Sequence, residues 1–338
     1  MLEPSISSAL TPPSLTESHA VGLLLLGLLL SLASGMQGCA SPDLGAKQIQ
    51  ADSTERDLWH AKRLQTLAAE DGWLTLVGLD FLEEGEHTIG TAPTCSLRYQ
   101  GATAPQIGTF IVTGDDASTS QIAFRTDVEG VTIDSGINGG IAGGVNGGIV
   151  PLVIDDRGTP SVVRNGSLAI TAIRRNGALA LRVKDNASPA RTQFRGIELF
   201  PFDASLVVEA EVVAPTAGET IAITNVTGFV ESQAVVAHLR STLRGNPIEL
   251  IATAGTNGRL FVVFADSTNG RESYGGGRFL DIPAPVEGKT TIDFNRATNP
   301  PCAFTPFATC PMPPAQNRLP LEIRAGECRS KMNTADES

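Results

Sequence analysis

The pairs Asn165-Gly166, Asn176-Gly177 and Asn257-Gly258 constrain this chain most. Asn and Gly accept positive φ at low cost, as both central residues of a type I′ turn require, and that turn joins antiparallel strands. Each pair abuts a β-rich run: Val162-Val163 and Leu168 to Ile170 flank the first, Ala178 to Val183 follows the second, and Leu260 to Phe264 follows the third. The same reading places strands at 73–77, 206–213, 219–226, 235–243 and 248–253, with a turn at Glu84-Gly85. One segment alone has helical spacing. Asp52 is placed to cap it, with Glu55 as the capping-box partner. Leu58, Ala61, Leu64, Leu67 and Ala68 form its apolar stripe, and Asp71-Gly72 ends it. Arg56, Lys62 and Arg63 are assigned to its solvated face. The fold class is mostly β: an antiparallel sandwich or barrel with one N-terminal helix and a long irregular Pro- and Gly-rich C-terminal segment.

The chain has 338 residues, 41% of them hydrophobic, enough for one large β domain or two smaller ones. The expected organisation is a β region over 53–327, divisible into two β subdomains with a break near 155–200, and a disordered tail over 328–338. Asp and Glu outnumber Lys and Arg by 36 to 25, a net charge of −11 with no basic run. That excludes a typical nucleic-acid partner.

Residues 1–38 read as a signal peptide. Val21 to Ala33 is apolar and uncharged but too short to span a bilayer. Gly38-Cys39 at its end resembles a bacterial lipobox, with Cys39 as the lipidated residue and 39–52 as a tether. Met36 stands where Leu is usual, and the first basic residue is Lys47. Ala40 after the cysteine points to the outer membrane, facing the periplasm. The alternative is an ordinary cleaved signal or an uncleaved anchor. In that oxidising compartment Cys302 and Cys310 are expected to form a disulfide, leaving Cys95 and Cys328.

Chemistry-bearing motifs are sparse. The histidines that would outlast signal cleavage, His60, His87 and His238, have no ligand spacing, so no metal site and no cofactor are expected. The glycine-rich repeat over 135–150 lacks a phosphate-loop signature and reads as a loop insertion. Special residues concentrate after position 264. Asp266, Tyr274, Arg278, Asp293, Asn295, Arg296 and Cys302 fall among Gly-rich and Pro-rich loops.

The strings Trp59-x-x-Lys62-Arg63, Gly72 to Leu79, Leu181 to Asp185, Asp293 to Phe304 and Cys310-Pro311 resemble a family of uncharacterised bacterial and archaeal proteins, domain of unknown function 1684. The resemblance spans roughly 59–327. Thr298 stands where that family usually has Tyr, and the resemblance implies no activity.

Two readings of the tail stay open. As architecture, Arg278 and Arg296 pair with Asp266, Asp293 or Glu327 as internal struts, while Asn295 and Asn299 satisfy loop backbone. As a site, Arg278, Asn295 and Arg296 hold a small anionic ligand. The corresponding functions are an envelope lipoprotein acting as a binding or scaffold protein, or a hydrolase using Asp266, Tyr274, Asp293 and Cys302.

Overall fold

The computed structural model describes residues 42–114, 119–134, 141–142, 148–175 and 177–330. The signal segment, Cys39 and most of the glycine-rich repeat lie outside the described residues. The helix α1 (Pro42–Leu67) begins at a proline, which suits the first turn because its missing N–H has no helical partner. Asp52 is therefore inside α1 and not its cap, and residues 42–52 are helix where a tether was expected. The Asp52 carboxylate accepts from Gln48 one turn earlier, at 2.8 Å.

The expected apolar stripe is buried only at its C-terminal end, where Leu64, Leu67 and Ala68 pack against Leu74 and Ile197. Arg56, His60 and Leu67 are buried, whereas Leu58 is 69% exposed and Ala61 is also exposed. Lys62 alone of the three basic residues is solvated as expected. Arg56 and Arg63 find carbonyl and carboxylate acceptors on later segments, which offsets their desolvation.

The first β region comprises β1 (Leu76–Phe81), β2 (Gly85–Gly90), β3 (Leu97–Arg98), β4 (Gly108–Thr113), β5 (Gln121–Arg125), β6 (Thr132–Asp134), β7 (Ile141–Ala142), β8 (Ile149–Pro151), β9 (Val162–Asn165), β10 (Leu168–Arg175) and β11 (Ala178–Asp185). They form two sheets, ordered β1-β11-β10-β9-β6-β7 and β3-β2-β4-β5-β8. Phe110 and Phe124 of the second sheet pack in one core with Ile133, Val163, Ile170 and Leu181 of the first. Their own rings are tilted at 4.7 Å between centroids. The run at 73–77 enters as a single 3₁₀ turn before β1 begins.

The second region comprises β12 (Val207–Val213), β13 (Thr220–Thr224), β14 (Val230–Ala234), β15 (Ala237–Leu243), β16 (Asn246–Ala254), β17 (Leu260–Phe264), β18 (Arg278–Ile282) and β19 (Lys289–Asp293). Six strands, ordered β18-β17-β16-β15-β12-β19, curl as a half-barrel around Leu239, Leu250, Val262, Phe264 and Ile292. The remaining two, β13 and β14, pair with each other. The sequence Val230-Glu-Ser-Gln-Ala shows little β pattern, because β14 is mostly exposed and buries no alternating face. Both cores belong to one compact unit, Ala46–Ser338.

Asn165 ends β9 opposite Leu168, and Gly166, at φ 57°, opens the two-residue turn Gly166-Ser167 into β10, so Asn165 is not the positive-φ turn residue expected; Gly177 at φ 77° turns β10 into β11. Asn257 and Gly258, at φ 54° and 74°, turn β16 into β17. After β19 the chain wraps back without long elements. Asn317, 2% exposed, fastens this wrap to the half-barrel: its amide donates to the Ile251 and Val263 carbonyls and accepts from Ile251 N–H.

Candidate functional site

Arg278, at the start of β18, is fully buried and paired with the equally buried Asp266. Its guanidinium also donates to the Ala325 carbonyl and, at 2.8 Å, to the Ile323 carbonyl. It lies 5.0 Å from the Phe264 ring centroid, a cation–π distance. Asp266 uses its other oxygen to accept from Thr268 N–H at 2.8 Å and Ile323 N–H at 3.2 Å. Arg278 is thus a strut that ties β18 to the C-terminal wrap, the architectural one of its two readings and not the ligand-binding one. Gly277 before it is at φ 93°, and a Cβ there would meet Pro313 Cγ at 2.3 Å.

Glu327 forms a second hub. Its carboxylate is fully buried, accepts from Asn299 N–H at 2.6 Å and pairs with Arg63 Nε at 3.2 Å. Arg63 also donates to the Asn299 carbonyl at 3.0 Å. Burial pushes the Glu327 carboxyl up, against the opposing pull of Arg63 and the Asn299 N–H. His60 Nε2 stands 4.0 Å from Glu327 without a hydrogen-bond partner. Burial, then the Arg63 and Arg56 charges, hold that imidazole below its ordinary value. Asn295 accepts from Asp203 N–H at 2.9 Å and donates to the Asp203 carbonyl at 3.0 Å, so it satisfies loop backbone and is no free ligand group.

Arg296 differs from Arg278. Its side chain is 34% exposed, lies over the Trp59 ring, and pairs with Glu55 at 2.5 Å and Asp293 at 3.3 Å. It lines a cavity of about 320 Å³ between α1 and the sheet strands β12, β18 and β19. Phe202, Val207, Leu280 and Ile282 supply apolar wall. The charged lining is Asp52, Glu55, Asp281 and Asp293 against Arg259 and Arg296. Arg259 is also matched, to Asp281 at 2.7 Å. Both cations are therefore neutralised, and two carboxylates exceed them.

The hydrolase candidates are held in separate arrangements. Asp266 is committed to Arg278, and Asp293 to Asn295 and Arg296. Tyr274 donates its hydroxyl to the Cys302 carbonyl at 3.2 Å. Burial first, then the two cysteines nearby, push that hydroxyl up to about 12, which suits a donor and not a base. Cys302 and Cys310 are adjacent free thiols and not the expected bridge. Cys302 N–H donates to Cys310 Sγ at 3.1 Å, and Cys310 N–H returns to Cys302 Sγ at 3.4 Å. Their mutual hydrogen bond draws the Cys302 thiol down and pushes the Cys310 thiol up. Among the described residues no three His, Cys, Asp or Glu side chains converge as metal ligands.

Of the expected site residues, the structure brings only Asp293 and Arg296 to this cavity. Sequence reasoning missed Asp52, Glu55, Arg259 and Asp281. Their one visible signal is that Asp52 and Glu55 lie three apart on a helix.

Residues 192–328 match the family model described as "Protein of unknown function (DUF1684)". That match begins well after position 59, where the resemblance in sequence was placed. A solution NMR structure of an uncharacterized protein from Haloarcula marismortui is 33% identical, with a TM-score of 0.35. The similarity covers 41% of this chain and 78% of that one. No curated protein matches the chain.

Proposed function

We propose that this chain, which belongs through residues 192–328 to the DUF1684 family of proteins of unknown function, binds a small amine-bearing molecule in the α1 cavity. One observation carries the reading: four carboxylates face two already paired guanidinium groups above an apolar wall. The anionic ligand suggested by Arg278 and Arg296 finds less support here. Arg278 is fully buried, and an anion at Arg296 would have to displace Glu55 and Asp293. A protonated amine instead meets an excess of carboxylates, Asp52 having no cationic partner among the described residues, and charge-assisted hydrogen bonds contribute about 1.5–3 kcal/mol each. The volume lies at the small end for ligand pockets.

The test compares phenethylamine with 3-phenylpropionate by isothermal titration calorimetry. The amine should bind and the carboxylate should not, and Asp52→Asn should weaken the amine about ten-fold. Tighter binding of phenylpropionate, lost in Arg296→Ala, would establish the anionic ligand and overturn this reading.

Placement in the envelope is part of the proposal and rests on residues 21–41. Lipidation of Cys39 would anchor the chain to the outer membrane, facing the periplasm, with α1 as the first folded element after the anchor. In that oxidising space the adjacent Cys302 and Cys310 thiols would close into a disulfide. Among the described residues no helix is long and apolar enough to cross a membrane.

A further inference from the structure

Buried Arg56, His60 and Leu67 and half-buried Arg63 form one stripe along α1, spaced three and four apart. The amine cavity adjoins one side of that stripe, at Asp52 and Glu55. A second cavity adjoins the other side, at His60 and Leu64. Its volume is about 540 Å³, and its opposite walls are the 193–198 segment and residues Arg329 and Ser330.

The charge of this second cavity is the opposite of the first. Among the described residues Arg195 and Arg329 face one carboxylate, Glu198, in a chain whose net charge is −11. Arg195 is exposed and, among the described residues, makes no hydrogen bond or ion pair, so no described neighbour neutralises its guanidinium. Arg329 is anchored, donating to the Gly270 carbonyl at 3.1 Å. Gln193, Ser330 and the buried imidazole of His60 add neutral polar groups.

The walls are held together by bonds that do not use the cavity. Cys328 N–H donates to the Glu198 carbonyl at 2.8 Å, and Leu199 and Glu327 form a β-bridge. Arg63 fastens α1 to Glu327, and Arg191 Nε fastens the preceding turn to the Ala68 carbonyl at 2.8 Å. A ligand would therefore meet a preformed cleft and would not have to order it. One buried polar atom beside the cleft, His60 Nε2, is left without a partner, which is uncommon in a settled interior.

We propose that this cleft is a second binding site, taking a small anion that carries a phosphate or carboxylate, with Arg195 as its recognising group and Arg329 as its fixed counter-charge. A guanidinium fork matches either anion with two parallel hydrogen bonds. The site is independent of the amine cavity, since the two share no lining residue.

The experiment titrates the full chain with inorganic phosphate and, separately, with acetate, by calorimetry at low salt. Phosphate should bind, and Arg195→Ala should weaken it about ten-fold or more with an unchanged melting temperature, because Arg195 supports nothing else. Asp52→Asn should leave phosphate binding unaltered while weakening phenethylamine. Phosphate binding that survives Arg195→Ala intact, or no phosphate binding by the wild-type chain, overturns the proposal. Loss of phosphate binding in Arg296→Ala but not Arg195→Ala would also overturn it, by moving the anion to the first cavity.

Discussion

Replacing Arg278 with Met tests whether the C-terminal wrap hangs on a buried ion pair. Methionine fills much of the same volume without charge, so the main loss is electrostatic. Asp266 would keep its contacts to Thr268 and Ile323 N–H through one oxygen. Its other oxygen would lose its cationic partner at a fully buried position. The Ala325 and Ile323 carbonyls would each lose a donor as well. Breaking a buried pair from one side costs about 3–5 kcal/mol, because an uncompensated charge remains. For a unit of this size that corresponds to a melting temperature lower by about 5–8 °C. Changing Asp266 to Asn in the same background removes the stranded charge and preserves an acceptor for Thr268 and Ile323. The double variant Arg278→Met/Asp266→Asn should therefore regain part of the loss. Urea melts followed by circular dichroism measure all three proteins. A loss under about 1 kcal/mol in the single variant, or a double variant less stable than the single, would refute the strut assignment.

Three other outcomes follow from the same geometry. His60 is held below its ordinary value of 6.5, so the unfolded chain binds a proton that the folded site refuses. Stability contributed by neutral His60 is present above pH 6.5 and lost as the pH falls through that value; His60→Gln should flatten the slope between pH 7.5 and 5.5, and equal slopes would exclude the effect. Oxidation of the full chain should join Cys302 to Cys310, read as a linked peptide pair after digestion without reduction; failure of mild oxidant to protect them from alkylation would count against bridging. Cys39→Ala should release the protein from the membrane fraction, and a variant still membrane-bound would exclude a lipid anchor at that residue.

The hairpins were legible because their cause is local. Positive φ at Gly166, Gly177 and Asn257-Gly258 is written in two adjacent residues, and β-rich flanks need only join them. The pairing of Arg278 with Asp266 was half-legible, since both lie within one dense segment and buried arginine needs a partner. The long wrap was legible from its prolines and glycines. Gly326 shows the kind of demand involved: at φ 74°, a Cβ there would meet the Ala297 carbonyl at 2.3 Å, so only glycine lets Glu327 approach the Phe294–Ala297 turn.

The cavities were not legible, and α1 explains why. Periodicity arguments assume that a helix buries its apolar face, because apolar area supplies most of the driving force. Here Leu58 and Ala61 face solvent, while Arg56, His60 and Arg63 face protein. What makes that orientation stable is spelled more than a hundred residues away. Arg56 needs the Phe200 carbonyl, Arg63 needs Glu327 and Asn299, and Glu55 needs Arg296. None of those partners is marked by spacing along α1. Once they are in place they determine which residues remain to line space. Turning α1 to bury Leu58 and Ala61 as well would draw Arg56 and Arg63 away from their acceptors and leave Glu327 as an unpaired buried carboxylate. That cost of several kcal/mol exceeds the about 2 kcal/mol gained by covering Leu58. The polar stripe of α1 thus sets which way the helix faces, and with it the acidic lining of one cavity and the basic lining of the other.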